Sequence, residues 1–464
     1  MMEKSVEVAI IGAGTAGLNA MTQVREVTDN FVLINGGDLG TTCARVGCMP
    51  SKILIQVADD FHRRHVLAKE GIHRGEDLAV DVSQALSHVR KLRDMFVGGI
   101  VQDLIKPLGD KYIEGYAEFT APNVLKVGKN QIQAEKTIIA TGSRPVIPDQ
   151  WSHLKDAILT TDTIFEQRQL PDDMAVIGLG AVGLELGLAL QRLGVNITGF
   201  DQLDQIGGLQ DPDVNRAAVE IFGQDFQMHL GTEVKIEKQG DRLKVISGET
   251  SVFVDKILVS IGRAANIDGL HLERLGIQLD DRGMPSFDLK TMQIHDQQIF
   301  IAGDVNDFRP VLHEVTHEGK VAGYNAVHDP AVEFRRKAPM VICFTDPNIC
   351  MAGATWKGIV DCRPAIGSAR FDGGREKIML RDHGMIRIYA DRKNGKLLGA
   401  EMVAPGGEHL VHLLAWSIQQ ELTVFDLLSM PYYHPTIEET LHAALLDLAG
   451  AVEHKELGLL GFEE

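Results

Sequence analysis

Two glycine-rich segments recur in the same context and constrain the fold more than any other feature of the chain. Residues 12–17 (GAGTAG) follow the apolar run 6–11, and residues 178–183 (GLGAVG) follow the apolar run 174–177. Apolar residues at helical spacing come after each segment. Strand, tight turn and helix in this order predict a dinucleotide-binding fold, in which glycines admit a pyrophosphate to the helix N-terminus. One such segment is a weak signal, whereas two make chance improbable. The glycines concerned are Gly12, Gly14, Gly17, Gly178, Gly180 and Gly183.

In each predicted fold, the end of the second strand is where a ribose-binding residue is expected. Asn35 and Asp201 both stand 23 residues after the first glycine of their motif (35 − 12 and 201 − 178). Asp201 can accept hydrogen bonds from both ribose hydroxyls, and residues 202–205 supply no cation for a 2′-phosphate, which favours NAD over NADP. Asn35 is an amide where a carboxylate is usual. It is equally well explained as a ribose ligand or as a turn residue before two glycines.

Three further turns follow predicted strands, at the edge where open α/β sheets bind ligands. The first contains Thr141, Gly142 and Ser143, and the second contains Gly262. The third places Asp304 just beyond a buried strand. Asp304 is either a cap of the next segment or a ligand residue, and its place at the carboxyl end of the strand favours the ligand. These residues extend both predicted nucleotide sites.

The landmarks divide the chain of 464 residues into three parts, which agrees with roughly 150 residues per domain. Residues 1–147 and 265–335 are predicted to form the first nucleotide domain, and residues 148–264 the second. Residues 336–464 combine alternating strand patterns with helices, as in an α+β domain. The predicted fold class is therefore α/β, with two Rossmann-like dinucleotide-binding domains and a carboxyl-terminal α+β domain.

Charge and chain composition limit the partners. Lys and Arg number 46 against 64 Asp and Glu, a net charge of −18, so neither nucleic acid nor an anionic membrane is an expected partner. No apolar signal region follows the first residues, and we expect a cytoplasmic protein. Five cysteines in so long a chain argue against a disulfide scaffold. A cysteine pair that matters here is therefore expected to be catalytic or metal-binding.

The segment 41–52 (TTCARVGCMPSK) places four residues between Cys43 and Cys48. Zinc sites usually use Cys-x2-Cys with a second pair or histidines, which the surrounding sequence lacks. A structural staple over so short a loop would stabilise little, and a reducing compartment would open it. Pro50 suits the first turn of a helix, which puts Cys48 at a helix N-terminus where the dipole favours thiolate. A redox-active disulfide is the favoured interpretation; a small buried apolar role for Cys48 is the weaker one.

Thiol–disulfide exchange needs a proton acceptor near neutral pH, for which histidine is suited. His434 stands out among the 17 histidines because Pro435 fixes the following backbone and Glu439 lies five residues on, where it can orient the imidazole. Residues 436–439 also match a capping box, in which Glu439 would satisfy backbone N–H groups instead. The residues alone leave both interpretations open.

Taken together, these segments resemble the two-cysteine pyridine nucleotide-disulfide oxidoreductases, flavoproteins that include dihydrolipoamide dehydrogenase, glutathione reductase and mercuric reductase. The resemblance covers nearly the whole chain. It rests on residues 12–17, 43–52, 141–145, 178–185, 303–304 and 434–439.

The resemblance implies FAD on the first fold and NAD on the second, with electrons passing through the flavin to the disulfide. By position, Cys48 would be the thiolate that contacts the flavin, and Cys43 the outer thiol that exchanges with substrate. Lys52 would lie beside the flavin and pair with Glu185. Asp304 would bind the ribityl or phosphate portion of FAD.

It further implies that His434 is the base, with Glu439 as its partner, and that this base comes from the other subunit of a homodimer with shared active sites. Tyr432 stands where lipoamide dehydrogenases typically carry another histidine, and the chain lacks the terminal cysteine pair typical of mercuric reductase. The favoured substrate is dihydrolipoamide, and a lipoyl domain is a candidate partner. A glutathione- or mercuric-reductase-like activity and a non-catalytic flavin sensor are the alternatives.

Within the segment of the two cysteines, Thr41, Ala44 and Arg45 depart from the family pattern of glycine, leucine and asparagine. The guanidinium of Arg45 either stabilises a thiolate or attracts an anionic substrate, or it is a solvated surface charge. The two interpretations carry equal weight.

Overall fold

The computed structural model describes residues 3–295 and 297–453, so residues 1–2, 296 and 454–464 of the predicted domains lie outside the described residues. The strands are, in chain order, β1 (Glu3–Ile11), β2 (Phe31–Asn35), β3 (Tyr112–Glu114), β4 (Ala117–Ala121), β5 (Val124–Val127), β6 (Asn130–Ile139), β7 (Ser143–Pro145), β8 (Ile158–Leu159), β9 (Asp173–Ile177), β10 (Asn196–Phe200), β11 (Gln227–His229), β12 (Val234–Gln239), β13 (Arg242–Ser247), β14 (Thr250–Val254), β15 (Lys256–Val259), β16 (Arg263–Ala265), β17 (Ile299–Ile301), β18 (Met340–Cys343), β19 (Asn348–Gly353), β20 (Ala365–Arg370), β21 (Met385–Ala390) and β22 (Leu397–Ala404).

The α-helices lie between and after these strands. They are α1 (Thr15–Arg25), α2 (Thr42–Val46), α3 (Cys48–His62), α4 (Arg64–Leu67), α5 (Val82–Ile100), α6 (Thr161–Ile164), α7 (Ala181–Arg192), α8 (Pro212–Phe222), α9 (Leu312–Asn325), α10 (Trp356–Ile359), α11 (Gly374–Met379), α12 (Gly407–Gln419), α13 (Val424–Leu428) and α14 (Glu438–Ala451).

Each glycine-rich segment follows a strand at the centre of a parallel arrangement. In the first sheet β1 lies between β2 and β6, in the order β3-β2-β1-β6-β5-β4, and β17 pairs with β6 in parallel. In the second sheet β9 lies between β10 and β15, in the order β11-β10-β9-β15-β8. A helix, α1 or α7, thus begins beyond the end of the central strand in each sheet, where sheets of this kind bind ligands. The prediction of an α/β protein with two Rossmann-like folds is confirmed.

The carboxyl-terminal part forms an antiparallel sheet in the order β18-β19-β22-β21-β20, and α12 and α14 pack on it. Strand β17 comes from the stretch predicted to return to the first domain. The boundaries at residues 147, 264 and 335 stay a prediction. Over the described residues, no helix combines the length and the apolar character that a membrane crossing needs.

Helix α3, which begins at Cys48, joins these parts. Its buried face, with Leu54, Ile55 and Ala58, belongs to a core that contains residues of the second fold and also Cys343 and Ile349 of the carboxyl-terminal sheet. Because burial of apolar surface stabilises this junction, the start of α3 is held where the three parts of the chain meet.

Candidate active site

The two cysteines lie on consecutive helices, the short α2 and the longer α3. Cys43 is the second residue of α2 and Cys48 the first residue of α3, with Gly47 between the helices. Thr41 caps α2, because its Oγ1 accepts a hydrogen bond from the backbone N–H of Ala44 at 3.1 Å. Its own φ is +58°, a conformation that glycine adopts more readily. The helix start predicted around Pro50 is observed, and it places Cys48 at the positive end of the α3 dipole.

Both thiols are free and half-buried. The hydrogen bond from the Cys43 thiol, together with the positive charge of Lys52, lowers the pKa of Cys48 to about 7, against the opposing effect of burial. The same hydrogen bond and burial raise the pKa of Cys43. Near neutral pH, Cys48 is therefore the sulfur that ionises and Cys43 the one that keeps its proton. This asymmetry is what a thiol pair needs if one sulfur faces an electron acceptor and the other exchanges with substrate.

Lys52 lies one turn after Cys48 and forms the predicted ion pair. Its Nζ is 2.7 Å from Oε2 of Glu185, the fifth residue of α7 in the second fold. The Glu185 side chain is 6% exposed, and its Oε1 accepts the backbone N–H of Phe344 at 2.8 Å. A buried carboxylate is tolerated when its charge and lone pairs are satisfied in this way. The pair links the helix of the cysteines to the second nucleotide fold.

Arg45 contacts Asp38 rather than a thiol. Its Nη1 is 3.0 Å from Oδ2 of Asp38, and the Asp38 side chain is 76% exposed. The charged groups that act on the pKa of Cys48 are Lys52 and Glu185. The Arg45 side chain is 33% exposed, and its Nε is buried without a hydrogen-bond partner among the described residues, so the geometry favours a charge held at the surface by Asp38 over one that contacts a thiol.

The glycines of both motifs divide into two groups. A Cβ on Gly17 would overlap the carbonyl oxygen of Gly12, and a Cβ on Gly183 would overlap that of Gly178, so packing requires these residues to be glycine. The middle glycines differ. Gly14 has a single atom, a carbonyl oxygen, at 3.9 Å from an added Cβ, and Gly180 has none within 4 Å.

The open space at Gly14 and Gly180 lies at the N-terminus of α1 and of α7. Neither helix start has a side-chain cap, so backbone N–H groups of the first turn remain for another acceptor. Both helix starts therefore fit a pyrophosphate. Gly12, Gly14 and Gly17 would surround the pyrophosphate at α1, and the glycines of the second motif would surround the one at α7.

The two ribose candidates occupy equivalent positions in space. The backbone N–H of Ala13 donates to Oδ1 of Asn35 at 3.0 Å, and that of Leu179 donates to Oδ2 of Asp201 at 2.6 Å. The Asn35 amide also donates to the carbonyl oxygen of Gly37 at 2.7 Å. Asn35 thus has the turn role that the sequence left open, and its role towards a ribose stays a prediction.

The turn at 141–143 and the carboxylate at 304 meet beside the first fold. Oγ of Ser143 donates to Oδ2 of Asp304 at 2.9 Å and accepts a hydrogen bond from Nε of Arg263 at 2.7 Å. Thr141 Oγ1 donates to the carbonyl oxygen of Asn266 at 2.7 Å. Asp304 itself begins a 3₁₀ turn whose cap position is the preceding residue, so the capping interpretation of this carboxylate does not apply.

Gly142 and Gly262 have φ of +69° and +117°, which glycine accommodates without strain. They flank β7 and β16, which pair antiparallel and connect the two nucleotide folds. The predicted residues from these turns are therefore assembled at one junction.

His434 and Glu439 lie together near the start of α14. Nδ1 of His434 is 2.8 Å from Oε1 of Glu439, and the imidazole is 81% exposed. The hydrogen bond with His434 holds the pKa of Glu439 below its usual range, so the carboxylate stays charged beside the ring. Oε2 of Glu439 accepts the backbone N–H of Thr436 at 3.1 Å.

The full capping box that residues 436–439 suggested is wrong, because α14 has its N-cap at Ile437 and no side-chain cap hydrogen bond. Half of the pattern is present, since Glu439 reaches back to one backbone N–H while its other oxygen orients His434. The two interpretations from the sequence are therefore not exclusive.

Sequence reasoning missed two residues of this site. Arg263 follows Gly262 and donates two hydrogen bonds to Ser143, one to its Oγ and one to its carbonyl oxygen at 2.8 Å. Phe344 places its ring under Lys52, with Nζ 4.6 Å from the ring centroid. An aromatic residue after a strand is ordinarily a core residue, so the chain carries no local signal for Phe344. For Arg263, its place directly after a strand-ending glycine was such a signal.

Family models cover most of the chain. Residues 6–322 match the model described as pyridine nucleotide-disulphide oxidoreductase, and residues 339–445 match the dimerisation domain of the same family. The Haloferax volcanii dihydrolipoyl dehydrogenase is 31% identical over 97% of this chain and 97% of its own length. The Bacillus subtilis dihydrolipoyl dehydrogenase is 27% identical over 96% of this chain and 99% of its own.

Solved structures with the same fold include other reductases. The Cu(II) complex of the HOCl-induced flavoprotein disulfide reductase RclA from Escherichia coli superposes with a TM-score of 0.82 at 20% identity, over 96% of this chain and 99% of RclA. LpdA from Mycobacterium tuberculosis superposes with a TM-score of 0.81 at 23% identity, over 97% of this chain and 100% of LpdA. At these identities the likeness concerns the fold.

Proposed function

The chain belongs to the pyridine nucleotide-disulphide oxidoreductase family, and from that premise we propose that it is a dihydrolipoyl dehydrogenase, which passes electrons from dihydrolipoamide through Cys43 and Cys48 to NAD. The observation that carries the proposal is the thiol pair at the start of α3, in which Cys48 ionises near neutral pH beside Lys52. Curated relatives of nearly equal length named dihydrolipoyl dehydrogenase support the choice of substrate.

FAD and NAD are the cofactors of this flavoprotein, and its match to the family's dimerisation domain supports a homodimer. When bound, FAD supplies a two-electron carrier between the thiol pair and the nicotinamide. Under the proposal Gly12, Gly14 and Gly17 bind its pyrophosphate, and Asn35, Lys52, Asp304 and the turn 141–143 lie along the rest of the molecule. The glycines of the second motif, Asp201 and Gly262 bind NAD.

The proposed exchange begins on the Cys43–Cys48 disulfide. A thiolate of the substrate attacks the Cys43 sulfur; the bond between the cysteines breaks, and Cys48 leaves with the electron pair as a thiolate. The second substrate thiol then attacks the substrate sulfur of the mixed disulfide, which closes the substrate disulfide and frees Cys43. Cys48 is suited to leave because its pKa is the lower of the two.

Two protons must leave the dithiol. One is accepted by His434 of the partner subunit, and Glu439 of the partner subunit orients that imidazole. The other passes from the second substrate thiol to Cys43 as the Cys43 sulfur leaves. Over a full cycle the dithiol loses two electrons and two protons. NAD gains both electrons and one proton, and one proton goes to solvent. The exposure of His434 on this chain supports a role toward a second subunit.

A second candidate is a reductase of another disulfide or of a metal ion, as the RclA structures of the same fold are named. Tyr432 favours it, because this phenol stands in place of the additional histidine of lipoamide dehydrogenases. It donates to the carbonyl oxygen of Leu427 at 3.2 Å, and its ring packs on His442 at 4.5 Å between centroids.

A cytoplasmic location is part of the proposal, supported by the free cysteines, which are typical of a reducing compartment.

The test is an anaerobic titration of the purified yellow protein with NADH, followed by assays of dihydrolipoamide with NAD. We expect a long-wavelength thiolate–flavin absorbance band and turnover with dihydrolipoamide. A band without that turnover, together with reduction of glutathione disulfide or Hg(II), would select the second candidate. The absence of a band, with flavin bound, would exclude both. Cys43→Ser should abolish disulfide exchange and leave flavin content unchanged.

A further inference from the structure

Phe344 is the first residue after β18 and closes a three-sided contact with Lys52 and Glu185. Its ring centroid lies 4.6 Å from the Lys52 Nζ, and its backbone N–H donates to Oε1 of Glu185 at 2.8 Å. Oε2 of the same carboxylate accepts from Lys52 Nζ at 2.7 Å. One residue of the carboxyl-terminal part thus holds both members of an ion pair formed by the other two parts of the chain.

Position 344 is itself anchored. The preceding residue, Cys343, is fully buried, and its thiol lies 3.5 Å from the carbonyl oxygen of Ala181, the first residue of α7. Residues 343 and 344 are therefore both bonded to the helix that carries Glu185, one through its thiol and the other through its backbone N–H. Because this anchoring uses main-chain and Cys343 atoms, it does not depend on the Phe344 ring.

The ring acts on Lys52. A lysine ammonium is a compact charge at the end of a flexible four-carbon stem, and a single partner leaves it free to swing. The Lys52 side chain is 34% exposed, so water competes for its ammonium. An aromatic face on a second side attracts the cation through the ring quadrupole and restricts its position.

We propose that Phe344 is a positioning residue that holds the Lys52 ammonium between Glu185 and its own ring, and that the carboxyl-terminal part of the chain thereby sets the charge beside Cys48. The inference deepens the proposed function and rests on the redox role assigned there to Cys43 and Cys48.

The position of the Lys52 ammonium affects the pKa of the Cys48 thiol. The charge of Lys52 lowers the pKa of Cys48, and that of Glu185 raises it. The net effect thus depends on where the ammonium sits. The other titratable groups at this place are Cys43 on α2, which donates to Cys48, and Cys343, whose pKa burial raises well above the usual value. Loss of the ring leaves all of these groups in place and frees only the ammonium.

The test is the pH dependence of Cys48 alkylation in the full-length holoprotein, reduced with a phosphine and exchanged into anaerobic buffer. Trypsin separates the thiols, because cleavage after Arg45 and Lys52 leaves Cys48 alone in the peptide 46–52 (VGCMPSK). Iodoacetamide labelling of that peptide, followed by mass spectrometry, reports the Cys48 thiolate without requiring turnover.

Phe344→Leu and Phe344→Met keep the backbone N–H and most of the apolar volume but remove the ring. We expect each to move the alkylation midpoint upward by about half a pH unit, which is about threefold less thiolate below pH 7. Phe344→Tyr keeps the ring face and should restore the wild-type profile. Phe61→Leu is the matched control, because Phe61 stacks under Arg64 beside the far end of α3, at 3.5 Å from the guanidinium carbon to the ring centroid.

Two outcomes would overturn the inference. One is a wild-type profile in Phe344→Leu and Phe344→Met with normal flavin content. The other is an equal shift in Phe61→Leu, which would assign the effect to general loosening of α3. A shift confined to the Phe344 variants supports the inference even if dihydrolipoamide is not turned over, and that failure would count against the proposed substrate alone.

Discussion

The two nucleotide folds of this chain have the same local backbone geometry at their glycine-rich turns and differ in the segments that pack around them. The N–H of Gly12 donates to the carbonyl oxygen of Ile34 at 2.7 Å, and that of Gly178 donates to the carbonyl oxygen of Phe200 at 2.8 Å. The same offsets produce the same turn. Motif spacing thus determines the local backbone, whereas segments far along the chain determine what each copy contacts.

Helix α1 of the first fold is covered by α9, which returns after β17. Gly319 and Gly323 lie so close to Ala16 and Ala20 that an added Cβ would overlap their carbonyl oxygens. Helix α7 of the second fold instead packs on α3 and β18. Helix α1 is therefore covered by a segment far along the chain, whereas α7 lies against the helix that carries Cys48.

One side chain at an equivalent position expresses this difference. Asn19 and Glu185 both follow the first glycine of their motif by seven residues (19 − 12 and 185 − 178). Asn19 donates to the carbonyl oxygen of Thr15 at 2.9 Å and stays within its own helix. Glu185 reaches Lys52 on α3. A residue at the same offset thus bonds within its own helix in one fold and to the helix of the cysteines in the other.

The largest effects are expected from Gly17→Ala and Gly183→Ala, a matched pair. Each added Cβ overlaps a carbonyl oxygen that the turn cannot move without displacing the helix, which costs on the order of 3 kcal/mol. Gly17→Ala should yield protein without flavin. Gly183→Ala should keep flavin and fail to be reduced by NADH, as measured by flavin absorbance before and after anaerobic addition. Loss of flavin in both variants would refute the division of cofactors between the folds.

A smaller effect is expected from exchanging the ribose candidates, Asp201→Asn and Asn35→Asp. The carboxylate of Asp201 accepts two backbone N–H groups, those of Leu179 and Leu203 at 2.6 and 2.9 Å, and an amide oxygen cannot replace both. Under the proposal the carboxylate also accepts hydrogen bonds from the ribose hydroxyls of NADH. A hydrogen bond to a charged group is worth about 1.5–3 kcal/mol, so Asp201→Asn should weaken NADH binding roughly 10- to 100-fold. Rapid-mixing kinetics of flavin reduction would measure it.

The reverse change, Asn35→Asp, acts on the first fold. Asn35 donates to the carbonyl oxygen of Gly37, which would repel a carboxylate. Asn35→Asp should lower the thermal midpoint of the flavin-loaded protein and leave NADH binding unchanged. Equal weakening of NADH binding by both exchanges would contradict the assignment of Asp201 to NAD.

A change of about one pH unit is expected when the link between α3 and the second fold is cut. Lys52→Gln removes the positive charge that lowers the pKa of Cys48 and leaves Glu185, which raises it. Loss of the Lys52 charge and the Glu185 charge left without its partner both raise the pKa of Cys48. The alkylation midpoint should therefore rise from about 7 to about 8, with roughly tenfold less thiolate below pH 7. Asn19→Ala, at the equivalent of Glu185 in the first fold, is the control and should give the wild-type midpoint. A midpoint near 7 in Lys52→Gln would mean that Lys52 does not act on Cys48.

The features that the sequence predicted correctly are formed by residues close together in the chain. The spacing of apolar runs and glycines gave both nucleotide folds and the equal offsets of Asn35 and Asp201, because a turn is built from neighbouring residues. The ion pair of Lys52 with Glu185 was implied by the family resemblance and not by a local pattern, because 133 residues separate the partners.

What it did not predict depends on contacts between distant segments. The close approach of α9 to α1 had a signal, since Gly319 and Gly323 stand four residues apart like Ala16 and Ala20, and small residues at that spacing let helices approach. Phe344 had none, because the cation above its ring comes from a helix almost 300 residues earlier. The roles assigned to the site residues stay predictions until such variants are measured.

The smallest effect is expected at Arg45, a second cation near the thiols, on the side of α2 rather than of the second fold. It pairs with the exposed Asp38 at 3.0 Å, and such surface pairs contribute about 0–1 kcal/mol. Arg45→Asn should therefore leave the alkylation midpoint of Cys48 unchanged, whereas Lys52→Gln moves it. Trypsin cleaves after Arg45, so in this variant the labelled Cys43 and Cys48 share one peptide and must be distinguished by fragmentation. An upward shift in Arg45→Asn comparable to that of Lys52→Gln would show that both cations act on the thiolate and that Lys52 is not its main source of positive charge.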